Sequence, residues 1–184
     1  MNKAIDIDKL RAVVLYVISK YPAREVDFHL LFKIMYFADM EHLAVYGRSV
    51  IIEDYSAITY GPVPSYFFDV LKKMRNHSFE AEVEPFIKAL KVKNEIIIAL
   101  QAPDMEELSN SDIDCLDFAI EKLRTTNFDE RTELSHGLAY IIAWNKTKNN
   151  SYPISKYDMA REGGASEELI EEMKEIDILC SKLA

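Results

Sequence analysis

The 184-residue chain is poor in the residues that usually announce chemistry. It has two cysteines, Cys115 and Cys180, each in a segment of helical spacing and without a CxxC pair, so reduced thiols are expected rather than a disulfide framework. Its four histidines, His29, His42, His77 and His136, are scattered, with neither HExxH nor paired Cys/His spacing, and no metal or cofactor is expected. Only five glycines occur, and they form neither a P-loop nor GxGxxG. Gly163 and Gly164 precede a helix, but Glu167 and Glu168 at its start would repel a phosphate. No GxSxG elbow is present, and Ser135 beside His136 does not make a dyad. Long apolar runs are missing too, and "MNKAIDIDKL" has no apolar core ahead of a cleavage site. A cytoplasmic protein without a membrane partner is the expectation.

Positive charge is also scarce. Lys and Arg number 22 against 31 Asp and Glu, a net charge of −9 that argues against a phosphate-binding face and favours a basic protein or peptide partner. The acid is concentrated: residues 103–133 carry ten Asp or Glu and three Lys or Arg. The acidic helices expected at 110–124 and 166–182 are candidate partner faces, although a solvated helix face is the plainer account of such a charge run.

What is there is an ordinary globular composition, 49% hydrophobic and 29% charged. A chain of this length buries roughly 70% of its unfolded surface, and no linker, repeat or low-complexity tract divides it, so residues 1–184 are read as one domain. Helical spacing marks "DIDKLRAVVLYVISKYP", with Asp6 or Asp8 as N-cap and a stop at Pro22. "DFHLLFKIMYFADMEHLAVYG" starts at Asp27, stops at Gly47 and has so few polar positions that it should be buried and central. One or two short strands follow in "RSVIIEDYSAITYGP", then a helix with Pro64 in its first turn. "FIKALKVKNEIIIAL" reads as a hairpin turning near Lys93 and Asn94. Ser109 or Ser111 caps the next helix, and "ERTELSHGLAYIIAWN", "ISKYDMAREG" and a last helix capped by Ser166 complete the chain. The expected fold is α+β and mostly α-helical, with a small antiparallel sheet or hairpin on a helical core.

Polar residues on a buried helix are the informative ones. His29 and Lys33 share one stripe at i,i+4, and Asp39 and His42 another at i,i+3. The second pair could be an acid/base couple or two ligands of a small hydrolase or metal-dependent enzyme. Alternatively it is a structural pair whose hydrogen bonds fasten the helix to the strand after it, the commoner fate of buried polar residues. Tyr36, Tyr46, Tyr55, Tyr60 and Tyr66 concentrate around the first strands, in core or partner surface. His136 and Trp144 fall in one helical run, His136 as a capping or core-satisfying residue and Trp144 as core or interface packing.

One stretch is specific. Lys33 to Leu71, "KIMYFADMEHLAVYGRSVIIEDYSAITYGPVPSYFFDVL", closely resembles the signature of the Panacea domain, the SocA-like antitoxin family. The pattern falls on Tyr36, Phe37, Ala38, Asp39, His42, Tyr46 and Gly47, then on Tyr60, Gly61, Pro62, Val63 and Pro64. "ELSHGLAYIIAWNKTKNNSYPIS" is similar to the family's later Ser-His and Trp region, with His136 and Trp144. The resemblance implies a non-enzymatic antitoxin that neutralises a cognate protein toxin by binding it, or an adaptor that delivers a toxin to a Clp protease. The first expected helix lies so near the start that no helix-turn-helix precedes it, so autonomous nucleic-acid binding is not expected. "YGPVP" itself is a poor phosphate cradle, because its prolines lack N–H groups, and reads as a stiff strand-to-helix joint.

Overall fold

The computed structural model describes residues 5–78, 80–146 and 152–183. The remaining residues include part of the N-terminal stretch and part of the run after Trp144 discussed above, and lie outside that description. The architecture follows from one helix that is apolar nearly all round. α1 (Ile7–Ser19), N-capped by Asp6, leads through β1 (Glu25–Asp27) into α2 (Phe28–Tyr46). The Asp27 carboxylate accepts from Leu30 N at 2.7 Å and opens α2, while Gly47, left-handed at φ 67°, closes it with its N–H on Leu43 O. Such a helix is stable only if every side is covered, and α2 is packed by α1, α5, α6, α8 and two strands.

The other elements wrap it. α3 (Ser65–Arg75), a short α4 (Glu84–Ile87), α5 (Asn110–Leu123), α6 (Phe128–Ser135), α7 (Leu138–Lys146), α8 (Lys156–Gly163) and α9 (Glu167–Leu183) follow in order. Between them lie β2 (Tyr55–Ile58), β3 (Gly61–Pro64), β4 (Leu90–Lys93), β5 (Ile96–Ala99) and β6 (Tyr152–Pro153). The fold is therefore α+β and mostly helical, as its patterning predicts, and one continuous apolar cluster runs through it. The hairpin turns at Asn94, at φ 57°, and Ser109 caps α5 reciprocally with Asp112.

Several local expectations are corrected. Among the described residues there are two antiparallel sheets rather than one, ordered β1-β5-β4 and β3-β2-β6, because the three residues of β1 and two of β6 are too short to show a period. "GPVP" is not merely a joint but strand β3 itself, with Pro62 opposite Ala57 and Pro64 opposite Tyr55. Proline is tolerated there because β3 is an edge, where a missing outward N–H costs nothing. Pro64 sits at the N-cap rather than in the first turn of α3 and supplies no side-chain cap. Glu53 substitutes: its carboxylate accepts from Tyr66 N at 3.0 Å and Phe67 N at 3.2 Å. Nor is the run through His136 and Trp144 one helix. α6 ends at Ser135, and α7 begins afresh at Leu138 with Ala139 N donating to Glu162 Oε2 from α8. That capping partner is 23 residues away, out of reach of a local pattern.

Candidate partner-binding surface

α2 carries the signature's polar residues, and most of them face inward. Asp39 is buried: Oδ1 accepts from Val50 N at 2.7 Å and Ile51 N at 3.2 Å, and Oδ2 accepts from the Tyr55 hydroxyl at 2.8 Å. Burial pushes its carboxyl up to about 7 against the pull of those three donors. His42 is buried one turn on. Its Nδ1–H donates to Arg48 O at 2.7 Å, which leaves Nε2 to accept from the Ser111 hydroxyl at 3.1 Å. Burial lowers the pKa of His42, so the imidazole is neutral and the 3.3 Å approach of Asp112 Oδ1 is not an ion pair. Asp112 is held instead by Lys9 at 2.8 Å. Asp39 and His42 thus fasten α2 to the segment after it and to α5. The enzyme reading required both to line a cleft open to solvent, and they do not. Among the described residues no group of three His, Cys, Asp or Glu is placed to hold a metal ion. Tyr36 is wholly buried, edge-on to Phe37 and Tyr55.

The other polar stripe of α2 holds the β2–β3 hairpin. Buried Lys33 donates from Nζ to Pro62 O at 2.9 Å. His29 directs Nε2–H at Tyr60 O, 3.2 Å away, and shares it with the Thr132 hydroxyl at 3.1 Å. Gly61, at φ 95°, lies so close to α6 that a Cβ there would stand 2.5 Å from Ser135 Oγ and 2.9 Å from Lys33 Nζ. Ser135 is buried and donates to Thr132 O. Helix, hairpin and α6 therefore meet at a glycine, with no space for a substrate.

Burial pushes the Lys33 ammonium down to about 7, with the Arg131 guanidinium adding to the effect. The unfolded chain keeps the ordinary value of 10.5, so between about 7 and 10.5 it holds one proton more than the folded protein. Stability rises with pH through that window, and below it the charged amine is buried at full cost. Lys33→Met is expected to be more stable than the parent at pH 6.5. Urea denaturation should show the parent gaining on the variant by up to about 1.4 kcal/mol per pH unit above pH 7. A stability difference that is flat between pH 7 and 9.5 contradicts the assignment.

With the polar groups of α2 turned inward, large apolar side chains are left at the surface around the hairpin. Tyr60 at the hairpin tip is 59% exposed and meets Phe128 edge-on at 5.5 Å, and Phe128 stacks on His29 at 4.1 Å. On the other side of the hairpin, His136, Tyr140 and Trp144 form a stacked column at i,i+4 spacing, closed by Tyr152 edge-on to Trp144. The Tyr140 hydroxyl donates to Ile58 O, which seats the column against β2. Along this side Leu134, Leu138, Ile141 and Trp144 are all exposed, Leu138 by 52%. Asp129 and Glu133 on α6 are exposed and have no ion-pair partner among the described residues.

Of the sequence-derived residues, Tyr36, Asp39, His42, Pro62 and Pro64 are internal, and Gly61 is the contact point of three elements. Tyr46 is half exposed with its ring on His42, and Gly47 packs against Leu169 and Met173 of α9. Tyr60 and Trp144 reach the surface, and His136 lies beneath it with Nε2 unpartnered among the described residues. Sequence reading missed Phe128, Leu134, Leu138 and Ile141. The i,i+3 pair Leu138 and Ile141 carries a signal, but one equally suited to core. Of the acidic helices, α5 buries Leu116, Ala119 and Ile120, and its Asp117 and Glu121 are paired with Lys20 and Arg124. No helix among the described residues is long and apolar enough to cross a membrane. A family model described as antitoxin SocA-like, Panacea domain, matches residues 31–145, which run from α2 through α7 and include both sides of this surface. No curated protein and no solved structure matches the chain.

Proposed function

The chain belongs to the Panacea-domain family of SocA-like antitoxins, and from that premise we propose that it neutralises a cognate protein toxin by binding it across the hairpin tip and the α6–α7 face. The observation that carries this reading is the division of the signature. Lys33, Asp39 and His42 are consumed by internal hydrogen bonds, while Tyr60, Phe128, Leu138, Ile141 and Trp144 stay exposed on the hairpin, α6 and α7. Pre-organised aromatic and aliphatic side chains suit binding, because little entropy is lost on ordering them and a few such anchors dominate affinity. Asp129 and Glu133, unpaired among the described residues, and the net charge of −9 favour a basic toxin and speed its approach. An antitoxin-like role of this kind is a binding role and needs no catalytic group.

The test is co-expression with the product of the adjacent open reading frame. Growth arrest by that product alone, relieved by this protein, is the expected result. Tyr60→Ala with Ile141→Asp should weaken binding by about a thousandfold, two hot-spot losses of about 2 kcal/mol each, and abolish relief while leaving thermal stability within about 0.5 kcal/mol, as for other surface changes. A harmless neighbour, or relief undiminished in the double variant, overturns the reading. A toxin whose half-life in a reconstituted Clp reaction shortens only with this protein present marks delivery to a protease instead.

A further inference from the structure

β4 is an edge of the sheet ordered β1-β5-β4. Leu100 N donates to Ala89 O at 2.8 Å, so by the alternation of an antiparallel ladder Lys91 pairs through hydrogen bonds with Ile98, and Lys93 with Ile96. Val92 therefore turns its N–H and C=O away from β5, and neither is hydrogen-bonded among the described residues. Leu90 is 2% exposed, so the open part of the edge runs from Lys91 to Lys93. Those two lysines project from one face of the strand, exposed and without an ion-pair partner among the described residues. The acids nearby are engaged: Lys73 takes Glu80 and Glu82, Arg75 takes Glu95, and Glu84 has Lys88 four residues on. Glu25 and Asp27 share the lysine face but lie on β1, two strand spacings or about 10 Å away. On the other face Val92 borders a pocket of about 260 Å³, walled by Met74 at the end of α3, by Val83 and Ile87 around α4, and by Leu90.

We infer that β4 is a docking edge for an extended acidic segment of a partner protein, one that pairs with Val92 and alternates acid, apolar, acid. The period of a strand dictates that pattern. A segment laid along β4 sets two residues on the face of Lys91 and Lys93, with Cβ atoms about 5 Å from theirs, where Asp or Glu gains a cation. The residue between them, opposite Val92, points to the other face, where a Leu, Ile or Val side chain leaves water for the pocket. Main-chain bonds to Val92 add a fourth strand to the sheet. A second copy of this chain is a poor occupant. β4 against β4 sets lysine against lysine. The chain's own strand of matching pattern, Glu25-Val26-Asp27, is already used: Val26 is 4% exposed in the core, and Asp27 accepts from Leu30 N and pairs with Arg131. The occupant of β4 is acidic where the proposed toxin is basic, so this edge and the α6–α7 face take different molecules.

The full-length protein is titrated against labelled peptides of equal length: Glu alternating with Leu, Glu alternating with Ser, and Glu and Leu grouped in separate blocks. The alternating Glu-Leu peptide should bind with an affinity that falls as salt rises. The other two, which lack the anchor or the period, should bind at least about tenfold more weakly. Lys91→Glu with Lys93→Glu should weaken the Glu-Leu peptide at least about tenfold and remove the salt dependence. Val92→Pro, which deletes an N–H that β5 does not use, should weaken it comparably. Thermal unfolding shows that each variant is folded, and the exposed lysine pair decides the matter if the proline variant is not. No binding of the Glu-Leu peptide, equal binding of either control peptide, binding unchanged in the lysine variant or in a folded Val92→Pro, or a concentration-dependent dimer that the lysine variant abolishes each overturns the inference. No toxin enters this assay, so its failure removes the β4 site and leaves the proposed antitoxin role standing.

Discussion

Asp39→Ala is expected to lower the unfolding free energy by about 4 kcal/mol, a large part of the stability of an ordinary domain. The carboxylate gathers two backbone N–H groups and the Tyr55 hydroxyl in a site closed to solvent, and truncation leaves all three donors without an acceptor. Each stranded buried donor costs about 1–3 kcal/mol. Asp39→Asn is the control. Its amide oxygen still accepts from Val50 and Ile51 and its NH2 can donate to Tyr55, so a loss nearer 1.5 kcal/mol is expected, since one neutral rearranged bond replaces a charge-assisted one. Urea denaturation of both variants decides the matter. Equal losses would mean that charge rather than donor satisfaction holds the segment, and a loss under 1 kcal/mol for the alanine would remove the anchoring role.

Gly61→Ala is expected to cost about 3 kcal/mol, from two additive sources. A residue with a Cβ resists φ of 95°, and the new methyl would stand 2.5 Å from Ser135 Oγ and 2.9 Å from Lys33 Cε and Nζ. Because α2, the hairpin and α6 converge there, relief of the clash has to move the hairpin tip, and Tyr60 moves with it. Toxin relief should therefore fall further than the stability loss alone accounts for. Gly61→Ala with Ser135→Ala separates the two sources. Removing the hydroxyl should restore about 1 kcal/mol, leaving the backbone strain and the lysine contact in place. A double variant as unstable as the single one would show that backbone strain and the Lys33 contact, not the Ser135 hydroxyl, carry the effect.

These residues also mark how far the chain can be read without its fold. Asp39 and His42 stand three apart on a helix too apolar to face water, and from that alone a structural pair is the better account. The hydrogen bonds to residues 48, 50, 51 and 55 are that account in detail. Gly61 announces an unusual torsion by being glycine before proline, but not that Ser135, from 74 positions later, supplies the reason no side chain fits. Trp144 and His136 look like members of one helix because each is locally compatible with it. The break between them depends on Glu162 capping α7 from another helix. Sheet order was equally illegible, since β1 and β6 are too short to carry a period and exist only because β5 and β2 offer them partners.

Charge, the buried central helix, the α+β class and the Panacea signature were all determined by the sequence itself, because each is written in residues near one another along the chain: apolar spacing, capping pairs and a local pattern of tyrosine, glycine and proline. Which of those residues face a partner was decided only by tertiary structure. Exposure is a property of what the rest of the chain covers, and Tyr36 and Tyr60, alike in sequence, end at 0% and 59% exposed because the middle of α2 is enclosed and the hairpin tip is not.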